Sequence, residues 1–249
     1  MSSVACSIIV DRCLALDIYF IYGPTIREIL PRYHAITGQP GLPPKWTFGH
    51  WMSRSTYTAQ EEVEQVAEDL RAYRIPTDVI HIDTGWFKTI GNNDLSFDPE
   101  RFPDPKAMAE KLRKLGFHLS LWQTTNVAAG NQLHQELEAV GGMVRRDNEA
   151  VYNRPGYAED CGLIDYTNPK TIELLTRRFR QLFDLGVSVI KVDFGEGSPV
   201  DGIFYGYDGY AMRNLYALLY NQAIFKMTED YYGEGNGAIW ARSAWAGSQ

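Results

Sequence analysis

The apolar positions of this chain alternate between strand-like runs and helix-like spacing. Ile26, Ile29, Leu30, Tyr33 and Ile36 repeat at helical intervals. They predict a helix over 24–38, stopped by Gly38 and kept from continuing by Pro40, Pro43 and Pro44. Residues 46–51 read as a short strand. Val63, Val66, Ala67 and Leu70 then mark one face of a helix running to about residue 73, with Thr58 as N-cap and Glu61 as its capping-box partner. Residues 78–83 read as a second strand and 84–104 as a long loop. Pro105 opens a helix that reaches about residue 115. A third strand over 117–122 and a helix over 131–139 follow. A second long loop, 142–161, leads into Leu163-Ile164-Asp165. Asn168-Pro169 opens an amphipathic helix carrying Ile172, Leu175, Phe179, Leu182 and Phe183, which Gly186 ends. Residues 187–193 are apolar on both faces, as a strand buried in a parallel sheet is. A helix over about 208–230 and a last strand over 238–241 complete the series.

Strands alternating with helices predict an α/β protein with a parallel sheet. An open doubly wound sheet would satisfy the same pattern, but no Gly-x-Gly-x-x-Gly follows the first strand. His50, Trp51, Asp83, Trp122, Asp165, Asp193 and Arg242 are all assigned to C-terminal strand ends, which meet at the mouth of a barrel. The expected fold is therefore an incomplete (β/α)8 TIM barrel holding about the first five βα units, over residues 17–249, preceded by an irregular segment, 1–16. Both ends of the chain read as cuts.

Composition narrows the function. The 249 residues carry a formal charge of −7, which disfavours a nucleic-acid partner, and 13% aromatics, which suits sugar stacking as well as core filling. Cys6, Cys13 and Cys161 have no metal-like spacing, and the five histidines offer no metal set. No metal, cofactor or membrane partner is expected. Residues 4–10 are apolar, but no basic stretch precedes them and Asp11-Arg12 follows, so they read as a poor signal peptide and the compartment stays open.

Asp193 stands out among the polar residues. It ends an apolar strand in Ile190-Lys191-Val192-Asp193-Phe194-Gly195-Glu196, and Lys191, two residues earlier, shares its face. A nearby cation helps keep a nucleophilic carboxylate ionised. From spacing alone, Asp193 serves equally as the N-cap of the next helix. Asp83, with Trp86 three residues on, could bind sugar hydroxyls and stack a ring, or be a loop Asp beside a packing Trp. Trp122 reads as wall or core, and Arg242 as site residue or structural ion pair. His81 and His118 read as packed within strands.

The segment Lys191-Val192-Asp193-Phe194-Gly195-Glu196 resembles the nucleophile motif of glycoside hydrolase family 31. Tyr22-Gly23-Pro24-Thr25, Leu42-Pro43-Pro44-Lys45-Trp46, Phe102-Pro103-Asp104-Pro105, Asp165-Tyr166-Thr167-Asn168-Pro169 and Ala241-Arg242-Ser243-Ala244 resemble further family segments, in family order. The resemblance runs from about residue 17 to the end. It implies a retaining α-glycosidase acting on an α-glycoside or oligosaccharide, with Asp193 as nucleophile and Asp83 binding hydroxyls. It implies that Trp86, Trp122, Lys191 and Arg242 line the subsite, with Glu196 supporting the nucleophile loop. The family's acid/base Asp would fall beyond Gln249, so residues 1–249 alone are expected to lack turnover. An α-transglycosylase, a glycan lyase or a non-catalytic sugar-binding fragment is the alternative. Gln123-Thr124-Thr125 stands where many members carry Asn-Pro after the aromatic, which leaves the sugar open.

Overall fold

The computed structural model describes residues 8, 10, 15–89, 92–147, 151 and 161–248. Contacts divide the chain into two compact units, Met1–Pro40 with Gln249, and Gly41–Ser248. The first holds helix α1 (Ile26–Thr37), which buries none of its residues. Helix α1 thus belongs to the first unit. Most of 1–16, including Cys6 and Cys13, and most of the loop over 142–161 lie outside the described residues.

The second unit is built on five parallel strands: β1 (Trp51–Arg54), β2 (Val79–Ile82), β3 (His118–Thr124), β6 (Val187–Asp193) and β9 (Ile239–Ala241). They stand side by side in chain order, with β1 and β9 at the edges. Helices α2 (Gln60–Ala72) and α3 (Pro105–Lys114) fill the first two crossovers. Helices α4 (Gln132–Ala139) and α5 (Pro169–Asp184) lie between β3 and β6, and α6 (Gly209–Tyr232) lies between β6 and β9. This is the sheet of a (β/α)8 barrel left open after five strands. The run of apolar residues explains the central strands: Val79, Ile80, Ile82, Leu119, Leu121, Val187, Val189, Ile190 and Val192 are all buried.

Two antiparallel strand pairs decorate the sheet. Strand β4 (Asn126–Ala128) pairs with β5 (Cys161–Leu163), and β7 (Ile203–Phe204) pairs with β8 (Tyr207–Asp208). The β4–β5 pairing corrects the assignment of Asp165 to the end of a parallel strand. The segment before it joins β4 instead of the parallel sheet, and Asp165 accepts hydrogen bonds from Thr167 N, Thr167 Oγ1 and Tyr205 N. Its carboxylate ties the β7–β8 hairpin to the start of α5.

The first strand also shifts. Residues 45–48 form a 3-10 turn, and β1 starts only at Trp51. His50 and Trp51 therefore sit at the N-terminal end of the strand, away from the mouth; His50 Nδ1 lies 3.0 Å from Thr77 Oγ1, ahead of β2. Helix α2 has no side-chain bond from its N-cap Ala59. Glu62, not Glu61, closes the turn by accepting from Thr58 N and Thr58 Oγ1 at 2.7 and 2.9 Å. The other starts follow the sequence: Asp104, Asn131, Asn168 and Asp208 each cap their helix by accepting from a backbone N–H.

Candidate active site

Registry places the chemistry. Lys191 pairs with Trp122 on one side and Trp240 on the other, and Asp193 pairs with Thr124. Strand period then turns Trp122, Lys191, Asp193 and Trp240 toward one face at the C-terminal ends.

Asp193 ends β6 and is largely buried. Both carboxylate oxygens are held. Trp122 Nε1 donates to Oδ2 at 2.7 Å, and Phe194 N donates to Oδ1 at 3.0 Å. Arg242 Nε stands 3.2 Å from Oδ1, and Lys191 Nζ 3.7 Å from Oδ2. One indole donor, one amide donor and two cations thus face one carboxylate and fix its orientation.

The backbone after Asp193 is turned sharply. Phe194 is left-handed at φ 62° and Gly195 follows at φ 102°. A left-handed non-glycine residue costs about 1 kcal/mol. That turn directs the chain beyond Phe194 away from the strand, under Arg242 and toward Glu196. A Cβ on Gly195 would stand 2.8 Å from Ser243 Oγ and 3.0 Å from Tyr220 Cδ1, so only glycine fits. Tyr220, from α6, donates to the Asp193 carbonyl at 3.2 Å and accepts from Gln123 Nε2. Its burial pushes its pKa well above the usual tyrosine range.

Arg242, just past β9, grips Glu196 with two hydrogen bonds of 2.9 and 2.8 Å and stacks over the Phe194 ring at 3.9 Å from the centroid. Glu196, Phe194 and Arg242 therefore brace the turn that carries Asp193.

Asp83 stands one residue past β2. Lys191 Nζ donates to its Oδ2 at 2.8 Å, Thr84 N donates to its Oδ1 at 3.0 Å, and His81 Nε2 lies 3.2 Å from Oδ2. Burial alone would raise its pKa, but the hydrogen bonds from His81, Lys191 and Thr84 outweigh it and bring the carboxyl down to about 2. Lys191 bridges the two carboxylates, and the Trp240 ring lies 5.0 Å from its Nζ.

The structure brings Asp83, Trp122, Lys191, Asp193, Glu196 and Arg242 together. Trp86 is the exception. Its indole is fully buried, its Nε1 donates to the Trp122 carbonyl at 2.8 Å, and Phe87 and Phe97 pack on it. It has no face left for a sugar, and it backs Trp122 instead of lining the subsite. Sequence reading took His81 as merely packed, gave Phe194 no role of its own, and passed over Trp240 and Tyr220. His81 and Trp240 each lie two residues before a strand-end site residue, so strand period was a usable sign; Tyr220, far away on α6, had none. Among the described residues, no group of three His, Cys, Asp or Glu side chains could hold a metal, and no helix is long and apolar enough to cross a membrane.

A five-stranded piece of a β/α barrel with paired carboxylates and cations at the C-terminal strand ends has the form of a glycosidase catalytic domain. Residues 40–249 match the glycosyl hydrolases family 31 TIM-barrel domain, and the chain belongs to that family. It is 32% identical over 233 residues to alpha-xylosidase XylQ of Lactiplantibacillus pentosus, covering 92% of this chain and 31% of that protein. It is 31% identical over 238 residues to an alpha-xylosidase of Emericella nidulans, covering 94% of this chain and 30% of that protein. The structure of the Flavobacterium johnsoniae family 31 dextranase FjDex31A, complexed with glucose, superposes with a TM-score of 0.83 at 25% identity, over 91% of this chain and 29% of that one. The chain thus spans under a third of the length of these relatives.

Proposed function

We propose that this chain supplies the nucleophile side of a retaining α-glycosidase site. The observation that carries this reading is the Asp193 carboxylate, pinned at both oxygens by Trp122, Phe194 N and Arg242, yet still reachable, with 11% of its side chain exposed. A carboxylate fixed in this way enters the reaction oriented, with little reorganisation. Asp193 attacks the anomeric carbon as the glycosidic C–O bond breaks, giving a glycosyl ester on Asp193. The leaving oxygen takes a proton from a second carboxyl group, and water then cleaves the ester with return of the original configuration.

Asp83 suits a different task. A carboxyl held at about 2 stays ionised at neutral pH and cannot deliver that proton. It accepts hydrogen bonds, and a sugar hydroxyl is the natural donor. Glu196, occupied by Arg242, is likewise a brace and not an acid.

The stereochemical outcome tests the mechanism. The intact protein is given an aryl α-xyloside and an aryl α-glucoside, and the first-formed sugar is read by proton NMR before it mutarotates. The α-anomer is expected. A β-anomer as first product would replace the covalent route by direct displacement with water, and an unsaturated or transferred sugar would assign a lyase or a transglycosylase.

A further inference from the structure

We infer that His81 is a positioning residue that fixes the orientation of Asp83 from below, through a single imidazole tautomer set by Ser120. The inference rests on the reading of Asp83 as a sugar-hydroxyl acceptor.

His81 is fully buried in β2, two residues before Asp83 and on the same face. Its ring bridges two polar groups: Nδ1 stands 2.8 Å from Ser120 Oγ on β3, and Nε2 stands 3.2 Å from Asp83 Oδ2. Ser120 is also fully buried, and His81 and Ser120 are register partners. The Trp240 ring packs edge-on against the imidazole, centroids 5.1 Å apart at 70°. The charged groups that act on the ring are Asp83, Lys191 and Asp193. Burial lowers the pKa of His81, with Asp83 opposing, so the imidazole is neutral.

A neutral imidazole has one donor and one acceptor. An ionised Asp83 can only accept, so the proton sits on Nε2. Nδ1 is then the acceptor, and Ser120 Oγ–H is its donor. The chain Ser120 to His81 to Asp83 therefore runs in one direction. At its end two donors, His81 Nε2–H and Lys191 Nζ, converge on Asp83 Oδ2, while Oδ1 receives, among the described residues, Thr84 N alone. This fixes the side-chain rotamer and leaves Oδ1 as the oxygen with spare accepting capacity for a hydroxyl. Lys191 alone, on a flexible stem, would hold the charge but not the plane of the carboxylate.

Two measurements on the intact protein test this. In protein labelled with 15N-histidine, the His81 imidazole is expected to be neutral and protonated on Nε2 between about pH 7 and about pH 8, and to titrate below the ordinary histidine range. A proton on Nδ1, or titration near the ordinary histidine value, would overturn the inference. Kinetics are measured per active site, with sites counted by a mechanism-based label on Asp193. His81→Phe keeps a ring but loses both hydrogen bonds, and is expected to lower kcat/KM about 10- to 100-fold, the loss expected for a bond to a charged acceptor. His81→Gln, which can present an N–H toward Asp83, is expected to recover most of it. Equal kcat/KM per titrated site in wild type and His81→Phe would overturn the role. If wild type turns over no α-glycoside, the hydrolase reading fails, while the tautomer in the same sample still decides the role of His81.

Discussion

Replacing Asp83 by Asn gives a stability effect with a worked size and pH dependence. The folded carboxyl titrates at about 2, against an ordinary value of 3.8. A folded value below the unfolded one means that ionised Asp83 stabilises the fold. That stabilisation is complete above the unfolded value and is lost as pH falls through about 2. At 1.36 kcal/mol per pH unit, the full effect is about 2.5 kcal/mol near neutrality and about half that by pH 3. Only 21% of the side chain is exposed, so solvent screening does not erase it. Asn keeps the size and can still accept from Lys191 Nζ, but it cannot carry the charge. Urea unfolding of wild type and Asp83→Asn, followed by tryptophan fluorescence, measures the gap directly. The other carboxylates titrate alike in both proteins and cancel in the difference. The gap should be about 2 kcal/mol at pH 6 and shrink toward about 1 kcal/mol at pH 3. A gap of constant size across that range would refute the ionic origin of the Asp83–Lys191–His81 network.

Other substitutions probe the nucleophile's supports. Trp122→Phe removes the Nε1 donor to Asp193 Oδ2 but leaves the backbone carbonyl that Trp86 binds. It should lower kcat/KM on aryl α-glycosides about 10- to 100-fold, the usual loss for a hydrogen bond to a charge. Gly195→Ala places a methyl against Ser243 and Tyr220 at a φ of 102° and should cost roughly 1–3 kcal/mol in urea unfolding. Its activity should fall as well, because the displaced Tyr220 is the side chain that holds the Asp193 carbonyl.

Much of the barrel was legible because its strands bury both faces. A continuous apolar run such as Val187 to Val192 has few other places to go, and the helix caps Asp104, Asn131, Asn168 and Asp208 mark where each crossover begins. The errors fall where local pattern and tertiary pairing part company. The aromatic run Trp46 to Trp51 looks like a strand, yet it winds through a 3-10 turn and pairs only from Trp51 onward. Leu163-Ile164-Asp165 has strand character and does extend, but its partner is β4, so Asp165 ends no strand of the parallel sheet. Periodicity reports extension, not partner or direction.

The site shows the same division. Asp193, Lys191, Asp83 and Arg242 were readable from strand ends and family motifs, since strand period and barrel geometry bring them together. What spacing could not tell was which aromatic faces the ligand and which supports it. Trp86 turns inward and closes on Phe87 and Phe97, while Trp122 reaches the Asp193 carboxylate. His81 was read as packed, and it is, but its two ring nitrogens tie Ser120 to Asp83, a bond between strands that no single segment displays.

The central claim is that Asp193 becomes covalently glycosylated. The direct test is to treat the intact protein with a 5-fluoro-α-glycosyl fluoride, whose ring fluorine slows both steps while its fluoride leaving group keeps formation of the ester fast, and to locate the label by peptide mass spectrometry. One sugar per protein, attached to Asp193 and absent from Asp193→Asn, is predicted. A label on another carboxylate, or turnover by Asp193→Asn close to wild type, would contradict the account.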